Sequence, residues 1–119
     1  MRTLLAASAL SAALAFSANA ADVRDFTIVN GTGYAINFIG VNPPDDKDFG
    51  ENELSHDLDD GQSVNVKFSN ADKGCNWNFK VTWTGYNEEV YFQNLNLCTI
   101  EKVTLKYDRE SKKTTAYVE

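Results

Sequence analysis

Residues 75–83, CNWNFKVTW, decide how this chain is read. Trp77, Phe79, Val81 and Trp83 fall on one parity, with Asn78, Lys80 and Thr82 on the other. A period of two is the mark of a half-buried strand, because successive side chains of extended backbone point to opposite faces. Three large aromatics aligned with a valine form the inner side of a core, and a stacking platform for sugars is the weaker reading of the same residues.

The same alternation extends in both directions. Upstream, Phe26, Ile28 and Asn30 oppose Thr27 and Val29, and Val64, Val66 and Phe68 oppose Ser63, Asn65 and Lys67. Between these strands lies Tyr34 to Val41, where Tyr34, Ile36 and Phe38 share a face and Ile39 and Val41 the other; the parity switch predicts a bulge or a strand buried on both faces. Asn30-Gly31-Thr32-Gly33 tolerates positive φ and predicts a tight hairpin joining the first two strands. Pro43-Pro44 ends the second, since proline donates nothing to a ladder. Downstream, Gly85 to Glu88 turns into a short strand with Val90 and Phe92. Ile100, Val103, Leu105 and Tyr107 mark another, and Thr114 to Val118 a last one. About seven short strands separated by turn signals predict an all-β, antiparallel β-sandwich, immunoglobulin-like or similar. Strand order is a separate matter, because alternation assigns faces and not neighbours. One short helical turn over Glu51 to Leu58 would carry Leu54 and Leu58 inward.

The first twenty residues belong to something else. Arg2 precedes an uncharged run, Thr3 to Phe16, and small residues at Ala18 and Ala20 supply a signal-peptidase spacing. A membrane anchor would need about 20 apolar residues without a cleavage site. The expected organisation is a signal peptide over 1–20 and one β-sandwich domain over 21–119, periplasmic or secreted, with no transmembrane segment in the mature form and a monomeric state. Removing Arg2 takes the formal net charge from −6 to −7. That charge repels phosphate backbones, so nucleic acid is not expected as a partner. Cys75 and Cys98 are the only cysteines, and an even count in a small exported chain predicts a disulfide, worth roughly 3 kcal/mol by loop closure. The alternative, a pair of redox or metal-binding thiols, lacks a CxxC spacing.

The remaining signal is Asp45 to Asp60, DDKDFGENELSHDLDD, with eight acids and the chain's one histidine. A solvated loop is the first reading. Calcium is the rival cofactor, through Asp45, Asp46, Asp48, Glu51, Asp57, Asp59 and Asp60, because hard cations want converging oxygens. An EF-hand register starting at Asp45 places Gly50 correctly but puts Lys47 and Phe49 at ligand positions and His56 where the bidentate acid belongs. Ser55-His56-Asp57 is contiguous, whereas a hydrolase triad assembles from separate segments, so no catalytic residue is assigned and a small hydrolase stays the remotest alternative. Glu88-Glu89 cannot form an acid–base pair from adjacent strand positions.

Taken together, DFTIVNGTGYAINFIGVNPPDDKDFGENEL, LDDGQSVNVKF, CNWNFKVTW and NLNLCTIEKVTLKY resemble a group of small exported bacterial domains of unknown function. The resemblance covers nearly all of the mature chain. It implies a β-rich exported domain and reinforces the disulfide. Members of that group carry the label argininosuccinate lyase, an activity the sequence argues against: that enzyme family is far longer and helical, and its Ser-rich catalytic loop has no counterpart here. The expectation is a non-enzymatic binding or structural module, meeting an unknown protein or envelope component at a rim formed by the turn Gly31, Thr32 and Gly33 and the acidic loop with its Phe49.

Overall fold

The computed structural model describes residues 22–69 and 72–119. The leader expected over 1–20, and positions 70–71 of the polar link before Cys75, lie outside the described residues. Seven strands follow in order: β1 (Phe26–Gly31), β2 (Ile36–Asn42), β3 (Ser63–Val66), β4 (Asn76–Trp83), β5 (Glu89–Asn96), β6 (Lys102–Asp108) and β7 (Lys113–Val118). They form a four-stranded sheet ordered β3-β1-β6-β7 and a three-stranded sheet ordered β2-β4-β5. The described residues contain no helix, and hence none long and apolar enough to cross a membrane.

Parity predicts the interior well. Phe26 and Ile28 of β1, Val103 and Leu105 of β6, and Val66 of β3 are buried against Ile36 and Ile39 of β2 and Trp77, Phe79, Val81 and Trp83 of β4. The stacked rings of Phe26 and Phe79, with centroids 5.1 Å apart, join the two sheets directly. Leu58, Leu97 and Ile100 close the ends of this core from the connecting segments. Burial of such side chains supplies roughly 2 kcal/mol each, the main favourable contribution in a domain of this size.

Two connections differ from expectation. The Asn30–Gly33 turn is not a hairpin: β1 and β2 belong to different sheets. Both edges of β1 are taken, by β3 antiparallel and by β6 parallel, while β2 pairs with β4. Among the described residues the β1–β6 ladder, with Ile28 opposite Val103, is the one parallel pairing beside four antiparallel ones. The physical reason for the crossing is Asn30. It occupies an inward position on β1, fully buried, and its amide donates to the carbonyls of Tyr34 and Leu58, both at 2.8 Å. Its Oδ1 accepts from the backbone N–H and the hydroxyl of Thr32, at 3.0 and 2.7 Å. The turn is thereby pulled across the end of the sandwich, with Gly33 at φ 87° completing it.

The second difference is Glu51 to Leu58, which forms no helical turn. Its polar groups are engaged by β2: Glu53 N donates to Ile39 O, and Ile36 and Leu58 exchange both backbone hydrogen bonds. Asn52 accepts from Ile39 N and donates to Asn37 O. The segment runs along the free edge of β2 and covers it, with Leu58 buried and Leu54 half-buried as the sequence suggested. The irregularity expected at Phe38–Ile39 lies slightly earlier, as a register shift between Ile36 and Phe38, and Ile36 and Ile39 are both buried. Cys75 and Cys98 form the disulfide, with a Cα separation of 5.2 Å, and staple the start of β4 to the residues following β5.

Candidate functional site

Three tyrosines that alternation had scattered among strands and turns meet at one end of the sandwich. Tyr34 follows the crossover turn, Tyr86 sits in the turn after β4, and Tyr107 lies near the end of β6. Tyr34 stands nearly perpendicular to both others, at 77° to Tyr86 with centroids 5.5 Å apart and at 82° to Tyr107 at 5.8 Å. Trp83, Glu88 and Thr114 complete the lining of a cleft of about 80 Å³. The indole N–H of Trp83 donates to Thr32 Oγ1 at 3.2 Å, so the ring is oriented from beneath by the same turn that Asn30 holds. Above the rings, the Arg109 guanidinium carbon is 5.7 Å from the Tyr34 centroid.

The chemistry of this cleft is narrow. Its walls are largely aromatic, and an aromatic ring carries a negative face and a positive edge. Its one charged lining residue is the exposed carboxylate of Glu88. No nucleophile with an adjacent base lines it. Glu89, the neighbour of Glu88, points elsewhere: it pairs with Lys80 at 3.3 Å and accepts from the Tyr91 hydroxyl at 2.7 Å. The hydrogen bond from Tyr91, followed by that from Lys80, holds the Glu89 carboxyl below the usual range. Its counterpart, the hydrogen bond to Glu89, raises the Tyr91 phenol.

The expected rim comes together only in part, where Gly33 meets Asp60 of the acidic loop. Thr32 is buried and occupied by Asn30 and Trp83, so it cannot face a partner. Gly31 is half-buried, and a Cβ there would lie 3.0 Å from the Leu105 carbonyl oxygen. Gly33 is exposed and donates its N–H to Asp60 at 2.8 Å. Phe49 stands apart, on the outer face of the three-stranded sheet, with its ring 5.6 Å from that of Tyr91. There it covers Gly40, where an added Cβ would meet the Phe38 ring at 2.6 Å and Phe49 Cβ at 3.0 Å. Lys80 approaches Phe38 at 5.5 Å from the same side, and both line a second, larger groove of about 690 Å³ together with Asp46, Asp48, Phe49 and Tyr91.

The carboxylates considered for calcium are dispersed among local tasks. Asp46 accepts from Asp48 N and Asp48 from Gly50 N, at 2.9 and 3.2 Å, so each caps a turn. Asp57 accepts from the Thr84 hydroxyl at 2.6 Å, and Asp60 is the partner of Gly33. Asp45, Glu51 and Asp59 are exposed. Among the described residues no group of three or more His, Cys, Asp or Glu is placed to hold a metal ion. His56 Nδ1 faces the carbonyl oxygen of Asp57 at 3.0 Å, a geometry in which the ring N–H donates.

One residue of consequence carried no sequence signal. Arg24 is buried, forms a 2.7 Å ion pair with Asp22, donates to the carbonyls of Ser69 and Gly74, and lies 5.0 Å over the ring of Phe68. It ties the start of the domain to the segment leading into β4. The cleft residues were partly findable: tyrosines beside the turn residues Gly33, Gly85 and Asp108 sit where strand ends converge, and an amphipathic ring suits such a half-buried place. The chain matches no family model, no curated protein and no solved structure.

Proposed function

We propose that this protein is an exported, non-enzymatic binding module, and that its contacts with a protein or envelope partner are made through the Tyr34–Tyr86–Tyr107 cleft. The observation that carries the reading is the cleft itself: aromatic walls set at right angles on a rigid, disulfide-stapled scaffold, with one acid at the side. Large aromatics beside a pocket are where binding energy concentrates at protein interfaces. The absence of a paired nucleophile and base in the lining is compatible with recognition rather than turnover. The signal-peptide pattern and the cysteine pair support an oxidising, exported setting.

The test compares capture from an envelope extract by the unaltered protein, by Tyr86→Ala and by Tyr117→Ala. Both tyrosines are exposed, at 55% and 57%, but only Tyr86 lines the cleft. A partner retained by the unaltered protein and by Tyr117→Ala, and lost with Tyr86→Ala, is the expected outcome. Equal retention by all three would overturn the assignment of the cleft.

A further inference from the structure

Resting on the reading of the cleft as the binding site, we infer that the group it takes is the cationic tip of a lysine or arginine side chain presented by a partner protein. Four observations converge on a cation. Tyr86 and Tyr107 each meet Tyr34 edge to face, at 77° and 82°, so the cleft is bounded by aromatic rings in more than one orientation, and the face of such a ring attracts an ammonium or guanidinium. A sugar platform would instead lay its rings open and flat. The charged group in the lining is the carboxylate of Glu88, which attracts a cation and rejects a carboxylate or phosphate ligand. The chain as a whole carries a formal net charge of −6, so basic surfaces are drawn toward it at long range. Finally, the protein already uses one of these rings in this way, with Arg109 over Tyr34 at 5.7 Å.

Size argues for a side-chain tip over a free metabolite. At about 80 Å³ the cleft is far below the roughly 300 Å³ at which pockets begin to enclose small-molecule ligands. It suits the end of one side chain whose remainder stays on a larger partner. Arg109, exposed on the turn between β6 and β7, then acts as a resident like charge that an incoming cation must approach or displace. This gives the proposal a signature with two opposite signs: removing the Glu88 charge weakens binding, and removing the Arg109 charge strengthens it. A merely greasy cleft responds to neither.

The experiment is a titration of the exported, disulfide-bonded protein followed by amide and indole N–H signals, with Trp83 and Tyr86 as reporters. The probes are the capped tripeptides Gly-Lys-Gly and Gly-Arg-Gly, the same peptide with norleucine in place of lysine, and tetramethylammonium chloride. The expected result is saturation by the lysine or arginine peptide at roughly millimolar concentration, with the norleucine peptide about tenfold weaker. Glu88→Gln is expected to weaken the basic peptide about threefold, and Arg109→Ala to tighten it about twofold, both effects fading at high salt. Equal binding of the norleucine peptide, or no movement of the reporters with any peptide, would overturn the inference. Binding of tetramethylammonium alone would also overturn it, in favour of a free small cation. These failures are separable from failure of the module itself: if Tyr86→Ala abolishes capture while lysine and norleucine peptides bind alike, the cleft remains the binding site and only its cationic ligand is wrong.

Discussion

Asn30 shows how one polar side chain at an apolar position redirects a chain. Its four hydrogen bonds tie the β1–β2 crossover to Leu58 and, through Thr32, to the indole of Trp83. Asn30→Ala leaves the Thr32 N–H without its side-chain acceptor, although Tyr34 O and Leu58 O keep other donors. The expected loss is about 2–3 kcal/mol in urea unfolding. Asn30→Asp, nearly the same size, should cost at least as much at neutral pH, because a carboxylate oxygen would then face two carbonyl oxygens. A milder effect of Asp than of Ala would show that the amide is not donating as described.

The Asp22–Arg24 pair makes a second residue-scale prediction, in pH. The side-chain hydrogen bond from Arg24 lowers the Asp22 carboxyl from the ordinary 3.8 to about 2. A depressed native value means that ionised Asp22 stabilises the fold above about pH 4 and that this contribution is lost as pH falls through about 2. Side-chain carboxyl shifts of Asp22 should therefore inflect near pH 2, and Asp22→Asn should reduce the fall in unfolding midpoint between pH 4 and pH 2. An inflection near 3.8 would show that the pair does not form in solution.

Among the elements, β2 depends most on what covers it. One edge carries the segment 52–58, and its outer face carries Phe49 over Gly40. Gly40→Ala would push on the Phe38 ring and on Phe49, displacing the loop from the sheet at a cost of about 1–2 kcal/mol. Hydrogen exchange should then accelerate over 43–50 while the core amides of β4 stay protected; unchanged protection in the loop would contradict the packing described. For the β4–β5 pair, Cys75→Ala with Cys98→Ala is expected to lower stability by roughly 3 kcal/mol without changing the sheet spectrum. These strands were legible because period two survives in β1, β3, β4 and β6. What the sequence could not convey was where 52–58 goes, since Leu54 and Leu58 at a spacing of four fit a helical turn as well as an extended cover strip.

At the scale of the whole molecule, faces were legible and neighbours were not. The buried set on β4 is the one parity predicts, yet nothing in Asn30–Gly33 distinguishes a hairpin from a crossing between sheets until Asn30 is known to point inward. The same topology explains why the cleft was only half visible. Tyr34 and Tyr107 read as strand residues and Tyr86 falls in the Gly85–Glu88 turn, and it is the crossover, with β1 beside β6 in parallel, that gathers them. In the acidic loop, the loudest feature of the sequence, Asp46, Asp48, Asp57 and Asp60 each accept a hydrogen bond from a nearby group, while Asp45, Glu51 and Asp59 are exposed. The most direct test of this account is a nuclear Overhauser spectrum of the oxidised protein. It should show backbone contacts between Ile28 and Val103, the Trp83 indole N–H close to Thr32, and the Tyr34 ring close to both Tyr86 and Tyr107. Ladder contacts between β1 and β2, in place of those to β6, would contradict it.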